Sequence, residues 1–316
     1  MQEKIKGAFY GVAIGDAIGV PAEFKTRAFL RENPVDSMTG YGSWHQPPGT
    51  FSDDASLTFC TAESLLQGYD INNMAALFVK WYQHGYWGAH DEVFDIGHTT
   101  RRSLQRVSVG TSPLVTGGFE DFENGNGSLM RMMPVALYAA KETDIEKRYH
   151  LVREISGITH QHFRSVLACF IYTELMRILL SEPDKQLAYQ RTQQTVNSFL
   201  SARQFNPTEV KYFNRILQHN IALVAEADIS ASGYVLHTLE SALWSFLNTD
   251  SYQDCVLRAV NLGEDTDTTG AVAGALAGLY YGIDGIPPAW ITMVAKSAEI
   301  AALAERFNAT LNFQPA

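Results

Sequence analysis

Two short stretches crowd oxygen ligands at what read as helix starts. One is Ser52-Asp53-Asp54 in "GTFSDDASLTFCTAESLL"; the other is Asp265-Thr266-Asp267-Thr268 in "GEDTDTTGAVAGALAGLYYG". A single Ser or Asp at a helix start is ordinarily an N-cap, its oxygen accepting from a free backbone N–H. Capping explains one residue per helix. It does not explain Asp53 beside Asp54, or Asp265 with Asp267, because neighbouring carboxylates repel unless a proton or a cation lies between them. Carboxylates together with the hydroxyls of Ser52, Thr266 and Thr268 form an all-oxygen donor set. Such a set suits a hard cation, Mg2+ or Mn2+ with Ca2+ in the same class, rather than Zn2+. Asp16 and then Glu23 bring further acids from the N-terminal segment. A metal site is therefore expected.

A third stretch, "ENGNGSLMRMMPVAL" at 123–137, places Gly125-Asn126-Gly127-Ser128 ahead of an apolar segment. Backbone N–H groups at a helix N-terminus bind anions, and glycines let a phosphate come close. The pattern is neither a P-loop nor a dinucleotide-binding fingerprint, and no strand precedes it. Taken alone it reads as a turn with Ser128 as N-cap. His84, His90 and His98 are close in sequence, but their spacing fits no helix face, so solvated or satisfied histidines are expected there. Arg101, Arg102 and Arg106 read as a solvated helix face, and Tyr41, Trp44, Tyr82, Tyr86 and Trp87 mostly as packing.

The elements that must carry these residues read as helix after helix. Segments 56–68, 73–84, 130–141, 163–180, 185–203, 207–226, 235–247, 251–261, 267–281 and 287–307 carry apolar residues at helical spacing, and alternating strand patterns are scarce. Segment 181–232 is the more polar part, expected to be peripheral and poor in chemistry. Glycines recur every fourth residue twice: Gly7, Gly11, Gly15 and Gly19, then Gly270, Gly274, Gly278 and Gly282. That spacing lines one helix face. An interior glycine costs a helix about 1 kcal/mol relative to alanine, so two such ladders require an offset. Close backbone approach, with dispersion along the whole face, supplies it. The spacing predicts two tightly packed central helices, and both ladders run into acids.

Composition bounds the function. The chain has 316 residues, 46% hydrophobic and 18% charged, with a formal net charge of −10. That balance excludes a non-specific nucleic-acid binder, which needs a basic face. Cys60, Cys169 and Cys255 are far apart and form no CxxC pair, which predicts reduced thiols in a cytoplasmic protein. Asp16 interrupts the apolar N-terminal stretch, so no secretory signal is expected, and no apolar run is long enough to span a membrane.

Taken together, the blocks "GAFYGVAIGDAIGVPAE" at 7–23, "GTFSDDASLT" at 49–58, "DIGHTTR" at 95–101, "GNGSLMRMMPVAL" at 125–137, "SGITH" at 156–160 and "LGEDTDTTGAVAGALAGLYYG" at 262–282 resemble the ADP-ribosylglycohydrolase family, in particular its dinitrogenase reductase-activating members. They run in family order and span nearly the whole chain apart from about 181–232. The resemblance implies one domain over 1–316, an all-α, compact orthogonal helical bundle with a binuclear Mg2+ or Mn2+ cleft. It implies metal ligands at Ser52, Asp53, Asp54, Asp265, Asp267 and Thr268, with Ser52 standing where the family usually has threonine. It places Glu23 as a catalytic acid near the metals, Asp95 as a substrate-side acid, Asn126, Gly127 and Ser128 in the turn that cradles a pyrophosphate, and His160 beside the ADP-ribose. Glu264 stands where many members have glycine and has no assigned role.

Charge is consistent with that implication. Glu23, Asp53, Asp54, Asp265 and Asp267 in one cleft would repel an incoming pyrophosphate, and two divalent cations would nearly cancel them. Glycosidic cleavage passes through an oxocarbenium-like transition state, for which Glu23 and Asp53 are the expected catalytic carboxylates. The expected partner is an ADP-ribosylated protein or small molecule, with ADP-ribose as product. Two other functions fit the same residues: an ADP-ribose or nucleotide binder weak in catalysis, and a metal-dependent phosphohydrolase attacking the pyrophosphate. Free ADP-ribose as product separates glycosidic from phosphoester chemistry. The leaving group and the adenine-stacking residue stay open.

Overall fold

A computed structural model describes residues 1–311. Sixteen α-helices succeed one another: α1 (Gln2–Gly19), α2 (Arg27–Glu32), α3 (Asp53–Leu65), α4 (Ile71–His84), α5 (His98–Ser108), α6 (Met133–Tyr138), α7 (Ile145–Gly157), α8 (Phe163–Leu179), α9 (Lys185–Ser201), α10 (Pro207–Lys211), α11 (Asn214–Leu217), α12 (Val235–Leu247), α13 (Tyr252–Val260), α14 (Thr266–Tyr281), α15 (Pro288–Met293) and α16 (Ser297–Thr310). Among the described residues no strand joins a sheet. Three isolated bridges occur instead, and two of them, Gly118 with His160 and Gly125 with Tyr234, tie down loops beside the central helices. Among the described residues no helix is long and apolar enough to cross a membrane, and the three cysteines are free and buried.

The two glycine ladders are partners of each other. α1 and α14 lie antiparallel at the centre, flanked by α3 and α16 on the α1 side and by α12 and α13 on the α14 side. A Cβ added at Gly7 would stand 2.2 Å from the Gly278 carbonyl oxygen. At Gly11 it would stand 2.2 Å from the Gly274 oxygen, and at Gly15 2.1 Å from the Gly270 oxygen. No side chain fits between these backbones. The six interior glycines cost roughly 6 kcal/mol of helix propensity, and the close contact along three turns offsets it. Tyr252 and Tyr172 donate their hydroxyls to the Gly11 and Val272 carbonyls at 2.9 and 3.0 Å, which fastens neighbouring helices to the same seam.

Three expected helices are broken, each for a local reason. The stretch 130–141 becomes a 3-10 turn, Leu129–Arg131, then the short α6 and a second 3-10 turn. Pro134 lies in the first turn of α6 and offers no N–H to continue an earlier helix. The stretch 207–226 splits because Tyr189 and Gln193 donate to the carbonyls of Ile216 and His219, taking acceptors that a continued helix would need. The stretch 287–307 breaks at Val294–Lys296, where Ala295 N–H donates to Gly49 O at 2.9 Å and Lys296 adopts φ 54°. Helix α7 is not among the expected segments, although Ile145, Tyr149, Val152 and Ile155 recur at helical spacing. Its inward face holds Arg148, paired in the core with Glu174 at 2.6 Å, so its period is partly polar. Segment 181–232 supplies helices α9 to α11 and no residue to the cavity at the α1–α14 junction.

Candidate active site

The antiparallel seam brings the C-terminal end of α1 against the N-terminal end of α14. The last rung is Gly19, where a Cβ would stand 2.3 Å from Asp267 Cα. Thr266 donates its hydroxyl to Gly19 O at 2.7 Å, so this residue ties the two helices together and is not a metal-side oxygen. One turn back on α1, the buried Asp16 carboxylate accepts from the N–H groups of Ser52 and Ala55 at 2.8 and 2.9 Å. It thereby holds the start of α3 beside the start of α14. Two helix N-termini with their partial positive charge now face one point, and each carries acids into it. Single oxygens of Asp16, Asp54 and Asp267 lie within 4.8 Å of one another, and so do single oxygens of Glu23, Asp95 and Asp267.

The donor set fits hard cations. Asp54 Oδ1, Asp265 Oδ1 and Asp267 Oδ2 are buried and have no hydrogen-bond partner among the described residues. Buried carboxylate oxygens without a donor are costly, and a cation is the group that would satisfy all three. Asp265 stands at the N-cap position of α14 but its side chain accepts from no amide of that helix. Capping therefore does not account for it. Ser52 does cap α3, accepting from Asp54 N–H, while its hydroxyl donates to Asp54 Oδ2 at 3.1 Å. The Thr268 hydroxyl reaches the same oxygen at 3.3 Å.

Burial, and after it crowding, raises the carboxyl pKa values. Asp53, Asp54 and Asp267 lie well above the ordinary carboxylate range, burial first and neighbouring carboxylates second. Asp16 is pushed up to about 7 by burial, against the pull of its two backbone donors. Glu23 is pushed up to about 9, by burial and then by Asp95. Asp95 and Asp265 are raised by burial too, while hydrogen bonding to neighbours pulls both back down.

A cavity of about 230 Å3 opens above this floor, lined among others by Glu23, Asp53, Asp95, Asn126, Gly127 and His160, with Asp265 and Thr268 at its base. Glu23 is held beside Asp265 by a reciprocal pair of backbone bonds: Phe24 N–H to Glu264 O at 2.7 Å and Glu264 N–H to Lys25 O at 2.8 Å. Glu264 itself sits at φ 62°. A left-handed backbone favours glycine, which accounts for the glycine expected at this position. The Trp44 indole N–H donates to Glu23 Oε2. Asp95 also adopts a left-handed conformation, φ 52°, in the loop before α5.

On the opposite wall Asn126 donates through Nδ2 to Asp265 Oδ2 at 3.0 Å and to Thr238 Oγ1 at 2.9 Å, bridging the acids to the glycine turn. A Cβ at Gly127 would stand 2.8 Å from His160 Cε1, so the turn and the histidine touch. Behind them lies Arg131, fully buried, which donates to Gly127 O. The N–H of that planar trans peptide, on Ser128, points away from Arg131.

The expected site residues thus converge, with one displacement. The Ser128 side chain is fully buried and faces the core, bonded to Ser156 Oγ at 2.9 Å. It caps no helix, and Leu129–Arg131 after it form a 3-10 turn, so the anticipated helix N-terminus is absent. His98 lines the cavity, whereas His90 bonds Thr50 at 2.9 Å. Sequence reasoning did not assign Asp16, Trp44, Arg131 or Thr238 to the site. Asp16 carried a signal, an acid inside a glycine ladder on a buried face; the other three act through loops and side-chain contacts with no periodic trace.

A family model described as ADP-ribosylglycohydrolase matches residues 1–315. The ADP-ribosylarginine hydrolase Tri1 of Serratia proteamaculans is 32% identical over 310 residues, 96% of this chain and 78% of that protein. The ADP-ribosyl-[dinitrogen reductase] glycohydrolase of Rhodospirillum rubrum is 28% identical over 305 residues, 95% of this chain and 92% of that protein. A solved structure described as an ADP-ribosylglycohydrolase-related protein complex matches with a TM-score of 0.81 and 31% identity, covering 98% of both chains. With six motif blocks in order, a carboxylate floor at paired helix ends and these likenesses, the chain belongs to the ADP-ribosylglycohydrolase family.

Proposed function

We propose that the chain, acting as one domain over 1–316 in the cytoplasm, hydrolyses the glycosidic bond between ADP-ribose and an acceptor and releases ADP-ribose. The single observation that carries this is the set of three buried carboxylate oxygens on Asp54, Asp265 and Asp267, unpartnered among the described residues, of which Asp265 lines an open cavity. A continuous core from Ile5 to Leu311 supports one domain, and three free cysteines suit a reducing compartment. Ser52, Asp53, Asp54, Asp265, Asp267 and Thr268 would hold two Mg2+ or Mn2+ ions. Such ions, when bound, lower the pKa of a coordinated water and offset the negative charge that otherwise repels a pyrophosphate.

The chain's own residues divide the remaining work. Trp44 holds one oxygen of Glu23, which leaves the other for proton transfer at the leaving group. Asp53 faces the cavity from the first turn of α3 and is placed to take a proton from water. Asn126, the Gly127–Ser128 peptide and His160 offer hydrogen bonds to the diphosphate side of the ligand, and Asp95 to a ribose hydroxyl or a cationic acceptor. Likeness to an ADP-ribosylarginine hydrolase at 32% identity makes ADP-ribosylated arginine the first acceptor to test. The test is product analysis with a panel of ADP-ribosylated arginine, serine and ester substrates. Free ADP-ribose, abolished by EDTA and restored by Mg2+ or Mn2+, is expected. AMP as product, or full turnover in protein shown metal-free by elemental analysis, would overturn the reading.

A further inference from the structure

His160 can meet a ligand as a donor or as an acceptor, and its buried surroundings decide which. Its Nδ1 lies 2.8 Å from Thr159 Oγ1. That hydroxyl has one other partner, Arg131 Nη2, which donates to it at 2.8 Å. Arginine is donor-only, so the Thr159 proton cannot go there. A threonine hydroxyl near a helix end would ordinarily donate to the carbonyl four residues back, here Ile155. Among the described residues Thr159 makes no such bond, and Arg131 Nη2 donates to that carbonyl instead at 3.2 Å. Thr159 is fully buried, and the arrangement that leaves no buried hydroxyl proton without an acceptor sends it to His160 Nδ1. The ring proton of a neutral imidazole then sits on Nε2. Among the described residues Nε2 has no protein partner, and it lies on the cavity side, 3.4 Å from where a Gly125 Cβ would stand.

We propose that Arg131 and Thr159 are positioning residues: their relay fixes His160 as an Nε2–H donor aimed at an acceptor oxygen of the ligand, on the wall formed by the Asn126–Gly127 turn. Arg131 serves both halves of that wall, because the same guanidinium holds the Gly127 carbonyl turned inward. The imidazole stays neutral throughout the physiological range, its pKa lowered to about 3 by burial and by the Arg131 charge. The wall therefore presents a fixed donor to an oxyanion without a titrating charge. The identity of the ligand rests on the proposed glycohydrolase function; the tautomer does not.

The test reads the tautomer directly. Histidine nitrogen resonances of the Mg2+-loaded, full-length 15N-labelled protein at pH 7, assigned with His160→Gln, are expected to show an Nε2-protonated ring in the wild type and in Thr159→Ser. Thr159→Val removes the relay hydroxyl, and Arg131→Lys frees the Ile155 carbonyl; both are expected to give mixed tautomers. The Kd for ADP-ribose should rise about tenfold in Thr159→Val, the loss of one hydrogen bond to a charged oxygen, and return to within about twofold of wild type in Thr159→Ser. An Nδ1-protonated or doubly protonated ring in the wild type, or an unchanged tautomer in Thr159→Val, would overturn the relay. If Arg131→Lys does not fold, the two Thr159 variants still decide. ADP-ribose failing to bind the wild type would defeat the functional reading and leave the spectra to judge the relay.

Discussion

The α1–α14 seam and the loop rim around the cavity both end on the same carboxylates, yet they position them by opposite means. The seam is regular helix with no room for a side chain between its backbones, and it delivers Asp16, Asp265 and Asp267. The rim consists of irregular segments in which Phe24, next to Glu23, and Asp95 adopt left-handed conformations. It delivers Glu23, Trp44 and Asp95. The carboxylates proposed to face cations thus come mainly from helix ends whose separation is set by backbone contact. Those proposed to face the substrate come from strained loops, where backbone strain of about 1–3 kcal/mol per residue is often held for function. Helix geometry tolerates little variation; loop geometry is where specificity can be adjusted.

The largest test of the contrast is steric. Gly274→Leu should abolish folding or lower stability by about 3 kcal/mol or more, since even the first added carbon meets a backbone oxygen at 2.2 Å. Gly97→Ala in the rim, where nothing lies within 4 Å, should stay within about 0.5 kcal/mol. Melting curves that rank the two equally would mean the seam is not closely packed.

Next in size is Asp267→Asn. The Thr268 N–H bond to Oδ1 at 2.8 Å survives in an amide, and one repulsive charge goes. The cation-free variant should be at least as stable as wild type. Its stabilisation by Mg2+ should shrink, as ligand linkage requires, and turnover should fall about a hundredfold or more. Equal Mg2+ shifts and equal rates would remove Asp267 from the metal side.

Asp95→Asn should separate the rim from the seam. Turnover on an ADP-ribosylated substrate is expected to fall about tenfold to a hundredfold, while the Mg2+-dependent rise in Tm stays close to wild type. A collapsed Mg2+ response would place Asp95 among the cation ligands.

The smallest effect concerns pH. Asp16 and Glu23 titrate higher in the folded protein, at about 7 and about 9, than the roughly 4 expected unfolded. Groups raised in this way contribute stability that is complete below the unfolded pKa and is lost as pH rises through the folded values. The cation-free protein should therefore lose roughly 4 °C or more of Tm between pH 6 and pH 9, and saturating Mg2+ should flatten that slope. A Tm that rises with pH in EDTA would contradict the crowding of these acids.

How much of this was legible depended on periodicity. Helix-face spacing exposed both ladders, and paired acids at the starts of α3 and α14 pointed to a cation. The antiparallel pairing itself could not be read, because glycine spacing tells that a face is bare without telling what covers it. Asp16 stands out as an acid inside a glycine ladder, but its part in the site is plain only once the start of α3 is seen to hang from it. Trp44, Arg131 and Thr159 act through tertiary contacts across 21, 4 and 28 residues of sequence respectively, and only the Arg131–Gly127 contact is near enough to suspect. The helix breaks at 207–226 and 287–307 come from side chains and loops elsewhere taking over hydrogen bonds, which local propensity does not record.

The bare seam also limits how this protein can change over generations. In an ordinary core, a residue that grows can be accommodated by a neighbour that shrinks, so drift proceeds through paired substitutions. Along Gly7–Gly278, Gly11–Gly274 and Gly15–Gly270 the neighbour has nothing left to give up, and the obstacle is a carbonyl oxygen that no codon alters. Second-site suppressors of an alanine in either ladder should not arise in the facing ladder. A selection for revertants of Gly11→Ala should return glycine at position 11 or changes that move a whole helix, and the spacing of the carboxylates at the far end would move with it.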